Sequence, residues 1–80
     1  MPRIDEATAQ AMRELLALAV STGWCPVSVS VGIYNPTQGK ERCYCNASLG
    51  DRGHIDEFGS TPRVAARRAV KAARRVLGHL

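Results

Sequence analysis

Hydrophobic and polar positions repeat with a helical period near both ends of the chain and with a period of two in the middle. Between Asp5 and about Ser21, apolar residues recur at steps of three and four, which predicts an amphipathic helix. Asp5 is suited to cap its first turn, and Gly23 follows where a left-handed residue ends a helix. The predicted buried stripe is Ile4, Met12, Leu15, Leu16, Ala19 and Val20.

Two alternating segments follow and predict an antiparallel hairpin. Residues 27–34 alternate between apolar and polar types, and so do residues 42–49. Residues 35–40 (NPTQGK) between them are rich in turn-forming types, so the chain is expected to reverse there. The core-facing positions are Val27, Val29, Val31 and Ile33 in the first segment and Cys43, Cys45, Ala47 and Leu49 in the second.

The segment between the hairpin and the last helix predicts a turn and one brief strand. Residues 50–53 (GDRG) form the turn, and residues 54–58 are too short and too charged for more than a short strand at a sheet edge. The element order is then helix, three strands, helix, within a single domain of residues 1–80. The expected fold class is α+β: a two-layer α-β-β-β-α sandwich with both helices on one face of a small antiparallel sheet.

The last helix has the clearest boundaries. Thr61 or Ser60 is suited to cap it, Pro62 suits the first helical position, and the helix is expected to stop at Gly78. Its predicted core stripe is Ala65, Ala66, Ala69, Val70, Ala73, Val76 and Leu77. The opposite side, called the basic face from here on, consists of Arg63, Arg67, Arg68, Lys71, Arg74 and Arg75.

Charge is distributed unevenly along the chain. The net charge of +4 divides into −2 for residues 1–57 and +6 for residues 58–80, where no acidic residue occurs. A phosphate backbone is the simplest target for such a basic face, and arginine also suits carboxylates on a protein. The alternative is an ordinary solvated helix, because arginine forms helices well and cations favour a helix C-terminus.

The outward side of the hairpin predicts a second contact surface, with Tyr34, Arg42, Tyr44 and Asn46 as candidate binding residues. The chain has four aromatic residues, and Trp24 is expected to pack at the end of the first helix. Recognition of single strands by base stacking is therefore disfavoured. One edge strand of the sheet is left open in this arrangement, which allows a homodimer.

The thiols and histidines do not form a recognisable chemical site. Cys43 and Cys45 share one strand face and are expected to pack in the core. The spacing of Cys25, His54 and His79 is irregular for a zinc site. A nucleophile and base formed by Cys25 and His54 would lack a third catalytic group. We therefore expect no metal, no cofactor and no enzymatic activity.

The expected cellular location follows from sequence features of membrane and secreted proteins that this sequence does not show. No apolar run approaches the roughly 20 residues of a membrane span, and the first residues do not follow the pattern of a secretory signal. The odd count of three cysteines argues against a disulfide-stapled scaffold. The expected location is the cytoplasm, without contact with a membrane.

The element order and residues 59–68 (GSTPRVAARR) resemble a double-stranded RNA-binding domain over nearly the whole chain. The resemblance implies a basic cluster at the start of the last helix that contacts phosphates across the RNA major groove. The matching positions are Arg63, Arg67 and Arg68. Pro62 and Val64 stand where that family prefers lysine or polar residues, and residues 35–40 do not carry its loop motif.

A second resemblance is to small phage and mobile-element proteins with an α/β sandwich, among them anti-CRISPR proteins. It is carried by the Trp24 segment, the hairpin and the helix opening of residues 61–69 (TPRVAARRA). It implies a non-enzymatic inhibitor in the host cytoplasm that binds a host protein or nucleoprotein complex, such as a CRISPR effector. This inhibitor is the leading interpretation of the sequence, and a nucleic-acid-binding module that uses the basic face is the alternative.

Overall fold

The computed structural model describes residues 4–24, 26–35, 39 and 41–78. The elements are α1 (Glu6–Val20), β1 (Val29–Tyr34), β2 (Arg42–Ser48), a 3-10 turn (Gly50–Arg52), β3 (His54–Gly59) and α2 (Pro62–Leu77). This is the predicted α-β-β-β-α order of an α+β fold. Most of the predicted turn at residues 35–40, together with Cys25 and His79, lies outside the described residues.

The three strands form one antiparallel sheet with β2 in the centre. Cys45 of β2 lies opposite Val31 of β1 and Glu57 of β3, so these three side chains share the side of the sheet that faces the helices. The next residues along each strand face outward, because side chains alternate across a strand. The sheet therefore has one helix-covered face and one outer face.

Helix boundaries follow the local sequence. The Asp5 carboxylate accepts a hydrogen bond from the backbone N–H of Thr8 (2.7 Å), and the Thr61 hydroxyl accepts one from the N–H of Val64 (3.2 Å). Gly78 ends α2 in the left-handed conformation, with φ of 79°. These capping predictions are confirmed.

The core consists mainly of small residues from α2 and the sheet. Its buried hydrophobic members are Ala11, Leu15, Ala19, Cys45, Ala47, Leu49, Ile55, Ala65, Ala66, Ala69, Val70 and Ala73. Small side chains let α2 approach the sheet closely. Gly59 shows how close the approach is, since a Cβ atom there would lie 2.8 Å from the backbone nitrogen of Ala65.

The predicted buried stripe of α1 is partly wrong. Ile4, Leu16 and Val20 are exposed, whereas Thr8 and Ala11 are buried with Leu15 and Ala19. The reason is that α1 packs mainly against α2 and meets the sheet at few positions. Its inward side is therefore set by the neighbouring helix and carries the small residues, which allow two helices to approach closely.

Three further expectations need correction. β1 begins at Val29 rather than Val27, whereas β3 extends only one residue beyond the predicted strand and lies at a sheet edge as expected. Ile33 lies on the helix side of the sheet but is 45% exposed, and both helices contact β1 at few positions. Val76, in the last turn of α2, is 42% exposed rather than buried.

Candidate functional site

All six side chains of the basic face are exposed on α2. Every one except Arg75 lines a groove of about 830 Å³ between α1 and α2, opposite Gln10 and Glu14 of α1. The predicted basic face is thus one wall of a cleft between two helices. The other wall carries Glu14, an acidic residue that lies outside residues 58–80, the segment in which no acidic residue occurs.

Arg74 is held by an ion pair across this groove. Its guanidinium donates a hydrogen bond to the carboxylate of Glu14 on α1. Both side chains remain roughly half exposed, so water screens the pair and its contribution to stability is at most about 1 kcal/mol. The pair also neutralises one of the positive charges at the end of the groove.

Two other arginines also interact with the protein itself. The Arg68 guanidinium donates to the backbone carbonyl of Phe58 (2.8 Å) and so joins α2 to the end of β3. The hydrogen bond from Thr8 holds the pKa of the Asp5 carboxyl below its ordinary value, and the positive charge of Arg63 lowers that pKa further. Arg63 therefore lies close enough to the start of α1 to interact with its capping carboxylate.

Arg67 and Lys71 are the most available members of the basic face. Within residues 4–24, 26–35 and 41–78, neither side chain forms a hydrogen bond or an ion pair with the protein. They lie one helical turn apart, about 6 Å along the axis, between Arg63 and Arg74. An incoming anion meets these two charges without displacing an internal partner.

The outer face of the sheet brings three of the four other predicted site residues together and adds one. Tyr34 lies opposite Arg42, and Tyr44 lies opposite Phe58. The rings of Tyr34 and Phe58 are 5.8 Å apart, and the Arg42 guanidinium carbon lies 5.2 Å from the Phe58 ring centre. We call Tyr34, Arg42, Tyr44 and Phe58 the sheet-face cluster.

Asn46, the fourth residue predicted for this face, lies outside the cluster. Its side-chain oxygen accepts a hydrogen bond from the Ser30 hydroxyl (2.6 Å) on the neighbouring strand. Sequence reasoning did not assign Phe58 to the face. The available signal was the alternation in β3, which places Phe58 on the side opposite the apolar Ile55.

Gly32 is the reason that Tyr44 lies flat on the sheet. A Cβ atom at position 32 would come within 2.7 to 2.9 Å of three atoms of the Tyr44 side chain. The bare backbone of β1 therefore provides the space that the Tyr44 ring covers. The ring is thereby directed along the sheet surface rather than into solvent.

The described cysteines are free thiols on the helix side of β2. Cys45 is fully buried, and this burial raises the pKa of its thiol to about 11, so it stays protonated and unreactive near neutral pH. Cys43 is partly buried and lies 3.9 Å from the Ser60 carbonyl oxygen. No three His, Cys, Asp or Glu residues cluster as metal ligands in the described part of the chain.

Comparisons with protein-family models, curated proteins and solved structures found no match for this chain. Among the residues that the structure describes, no helix is long and apolar enough to cross a bilayer. The two surfaces of the described structure that carry charged and aromatic side chains suited to binding are the basic face and the sheet-face cluster.

Proposed function

We propose that this chain is a non-enzymatic binding protein that docks its basic face on the phosphate backbone of duplex nucleic acid. The observation that carries the proposal is the placement of Arg67 and Lys71, exposed in the groove and unpaired among the described residues. Arg63 extends the row by one turn. Three neutralised phosphates correspond to a log–log salt slope of about −2.7 on duplex DNA.

The proposed contact is independent of base sequence, because contacts to phosphates position a protein on the duplex and carry no sequence information. Two features favour a double-stranded target. The site is a straight row of cations on a rigid helix, and the aromatic side chains of the sheet-face cluster lie on the opposite layer of the protein. Base stacking therefore takes no part in contacts made by the basic face.

The test is fluorescence anisotropy of labelled duplex RNA and duplex DNA across a salt series. The double variant Arg67→Gln, Lys71→Gln is expected to weaken binding at least tenfold and to reduce the salt slope by about 1.8. Its matched control is Arg13→Gln, Arg52→Gln, which removes the same charge at exposed positions outside the groove. Equal weakening by both variants, or no binding of either duplex at low salt, would refute the proposal.

A second candidate function is inhibition of a host nucleoprotein complex, in the manner of anti-CRISPR proteins. The observation that favours it is the sheet-face cluster, since Tyr, Phe and Arg are typical of the energetic centres of protein interfaces. This candidate predicts that purified CRISPR effector complexes lose target binding or cleavage when the protein is added. Inhibition is then expected to be abolished by Arg42→Ala with Tyr44→Ala and retained by Arg67→Gln with Lys71→Gln.

A further inference from the structure

The two edges of the sheet differ in charge. β3 carries Asp56 and Glu57, so a second copy paired along that edge would bring like charges together. β1 reads Val-Ser-Val-Gly-Ile-Tyr and contains neither a charged residue nor a proline. Sheet edges that stay unpaired are usually protected by such residues, and β1 has none of them.

One hydrogen bond shows which backbone groups of β1 face away from the sheet. The N–H of Ser48 donates to the carbonyl of Ser28 (3.2 Å), in the same register as the rest of the β1–β2 pair. In an antiparallel pair, successive residues direct their backbone groups alternately towards and away from the partner. Ser30, Gly32 and Tyr34 therefore bond to β2. The free edge presents the N–H and C=O groups of Val29, Val31 and Ile33.

The same three residues carry the apolar side chains of β1. They point to the helix side, and Ile33 is 45% exposed there. Among the residues that the structure describes, the unpaired backbone groups of β1 and its exposed apolar side chain, Ile33, thus belong to the same edge of the sheet.

We infer that β1 pairs antiparallel with β1 of a second copy of this chain, across a twofold axis at Val31. A twofold axis that joins two such edges stands perpendicular to the sheet, so the helices of both copies lie on one face. With the axis at Val31, the Val31 residues of the two copies lie opposite each other, and Val29 of each copy lies opposite Ile33 of the other. All three residues with free backbone groups are then paired.

Pairing along β1 stabilises this edge without bringing like charges of the two strands together, because β1 contains no charged residue. It forms about six backbone hydrogen bonds and turns two three-stranded sheets into one of six strands. It also places Ile33 of each copy beside Val29 of the other, which covers apolar surface. This inference is independent of the proposed nucleic-acid contact, because the basic face lies on α2 and takes no part in the pairing.

The first test is sedimentation velocity from about 1 μM to about 1 mM protein. The wild-type chain is expected to form a dimer, and Ile33→Lys is expected to raise the dissociation constant roughly 100-fold or more, because each dimer contains the change twice. Val76→Lys is the matched control, since Val76 is equally exposed but lies on α2. A wild-type chain that stays monomeric throughout, or equal dissociation by both variants, would overturn the inference.

Amide hydrogen exchange of the wild-type protein provides a second test that needs no variant. The amides of Ser30 and Gly32 are expected to be protected at every concentration, because they bond to β2. Those of Val29, Val31 and Ile33 are expected to become protected only as the dimer forms. Fast exchange of these three amides in a proven dimer would place the interface elsewhere.

Discussion

Glu14 on α1 and Arg74 on α2 form an ion pair across the groove, although 60 positions separate them in the chain. The pair joins the two helices at the surface and reduces the positive charge of the basic face at one end. Positive charge is therefore concentrated around Arg67 and Lys71 rather than spread evenly over the helix. This distribution is the basis of the first prediction.

Removing the Glu14 carboxylate is expected to strengthen duplex binding. Glu14→Gln releases Arg74 for a phosphate and removes a negative charge from the groove, so the salt slope is expected to steepen by up to about 0.9. Anisotropy titration at several salt concentrations measures both effects. Glu6→Gln, which removes the partner of Arg13 outside the groove, is the control and is expected to leave the slope unchanged. Weaker binding by Glu14→Gln would contradict the prediction.

A methyl group at Gly59 is expected to destabilise the fold. Gly59→Ala would place its Cβ atom 2.8 Å from the backbone nitrogen of Ala65 and 2.7 Å from the Val64 side chain, so α2 must move away from β3. We expect a loss of about 1 to 3 kcal/mol in the free energy of unfolding, measured by urea denaturation. Adding Val64→Ala is expected to restore only part of this loss, because the backbone contact remains.

The same change at Gly32 is expected to act differently. Gly32→Ala conflicts only with the outer atoms of the Tyr44 side chain, which is free to rotate, so the free energy of unfolding is expected to change by less than about 1 kcal/mol. The Tyr44 ring is expected to leave β1, with loss of the nuclear Overhauser contacts between the ring and residue 32. Ser30→Ala, on the same strand face, is the control that leaves the ring in place. Persistence of the contacts in Gly32→Ala would show that the ring does not depend on this glycine.

The cap of α1 is expected to make stability depend on acidic pH. The Thr8 hydrogen bond and, to a lesser degree, the Arg63 charge lower the pKa of Asp5 in the folded state. Its contribution is therefore complete above the unfolded-state pKa and is lost as pH falls through the lowered folded value.

Thermal unfolding at pH 7 and at about pH 2 tests this dependence. The stability advantage of the wild-type chain over Asp5→Ala is expected to shrink at the lower pH. Asp5→Asn keeps a capping oxygen without a titrating group, so its advantage over Asp5→Ala is expected to stay constant. A wild-type advantage that grows on acidification would reverse the sign and contradict the assignment.

The Cys45 thiol is expected to react only when the protein unfolds. In a chain with Cys25→Ser and Cys43→Ser, labelling by a disulfide reagent at about pH 8 is expected to be slow, because burial both blocks access and raises the thiol pKa to about 11. Urea is expected to restore the rate of a free thiol. Rapid labelling of the folded chain would show that Cys45 is accessible.

Local signals were sufficient for the element order and for most boundaries. Thr61, Pro62 and Gly78 define α2 through capping, a preset φ and a left-handed end, all of which act within a few residues. The alternation in β2 likewise identified Cys45 and Ala47 as core residues, because β2 is the central strand and its inner side is covered. The capping predictions succeeded because each cap and the group that it binds lie within a few residues of each other in the chain.

Predictions of burial failed where burial depends on how the helices pack against each other and against the sheet. In α1, the apolar residues Leu16 and Val20 outrank Ala11 in hydrophobicity, yet Ala11 is buried because a second helix approaches that side. At the end of β1, Ile33 follows the alternation but remains exposed, since the helices contact β1 at few positions. Hydrophobic periodicity identifies an apolar side but not the position of the element that covers it.

By itself, the sequence determined the α-β-β-β-α order, the helix caps and the concentration of positive charge on α2, because each depends on residue type and short spacing. Tertiary structure alone decided that Glu14 neutralises Arg74 and that Phe58 joins Tyr34 and Arg42 on one surface. It also decided that β1 lies at an edge of the sheet and leaves the apolar side chain of Ile33 partly exposed. These relationships join residues far apart in the chain, and they arise from helix packing and strand register, which no local pattern specifies.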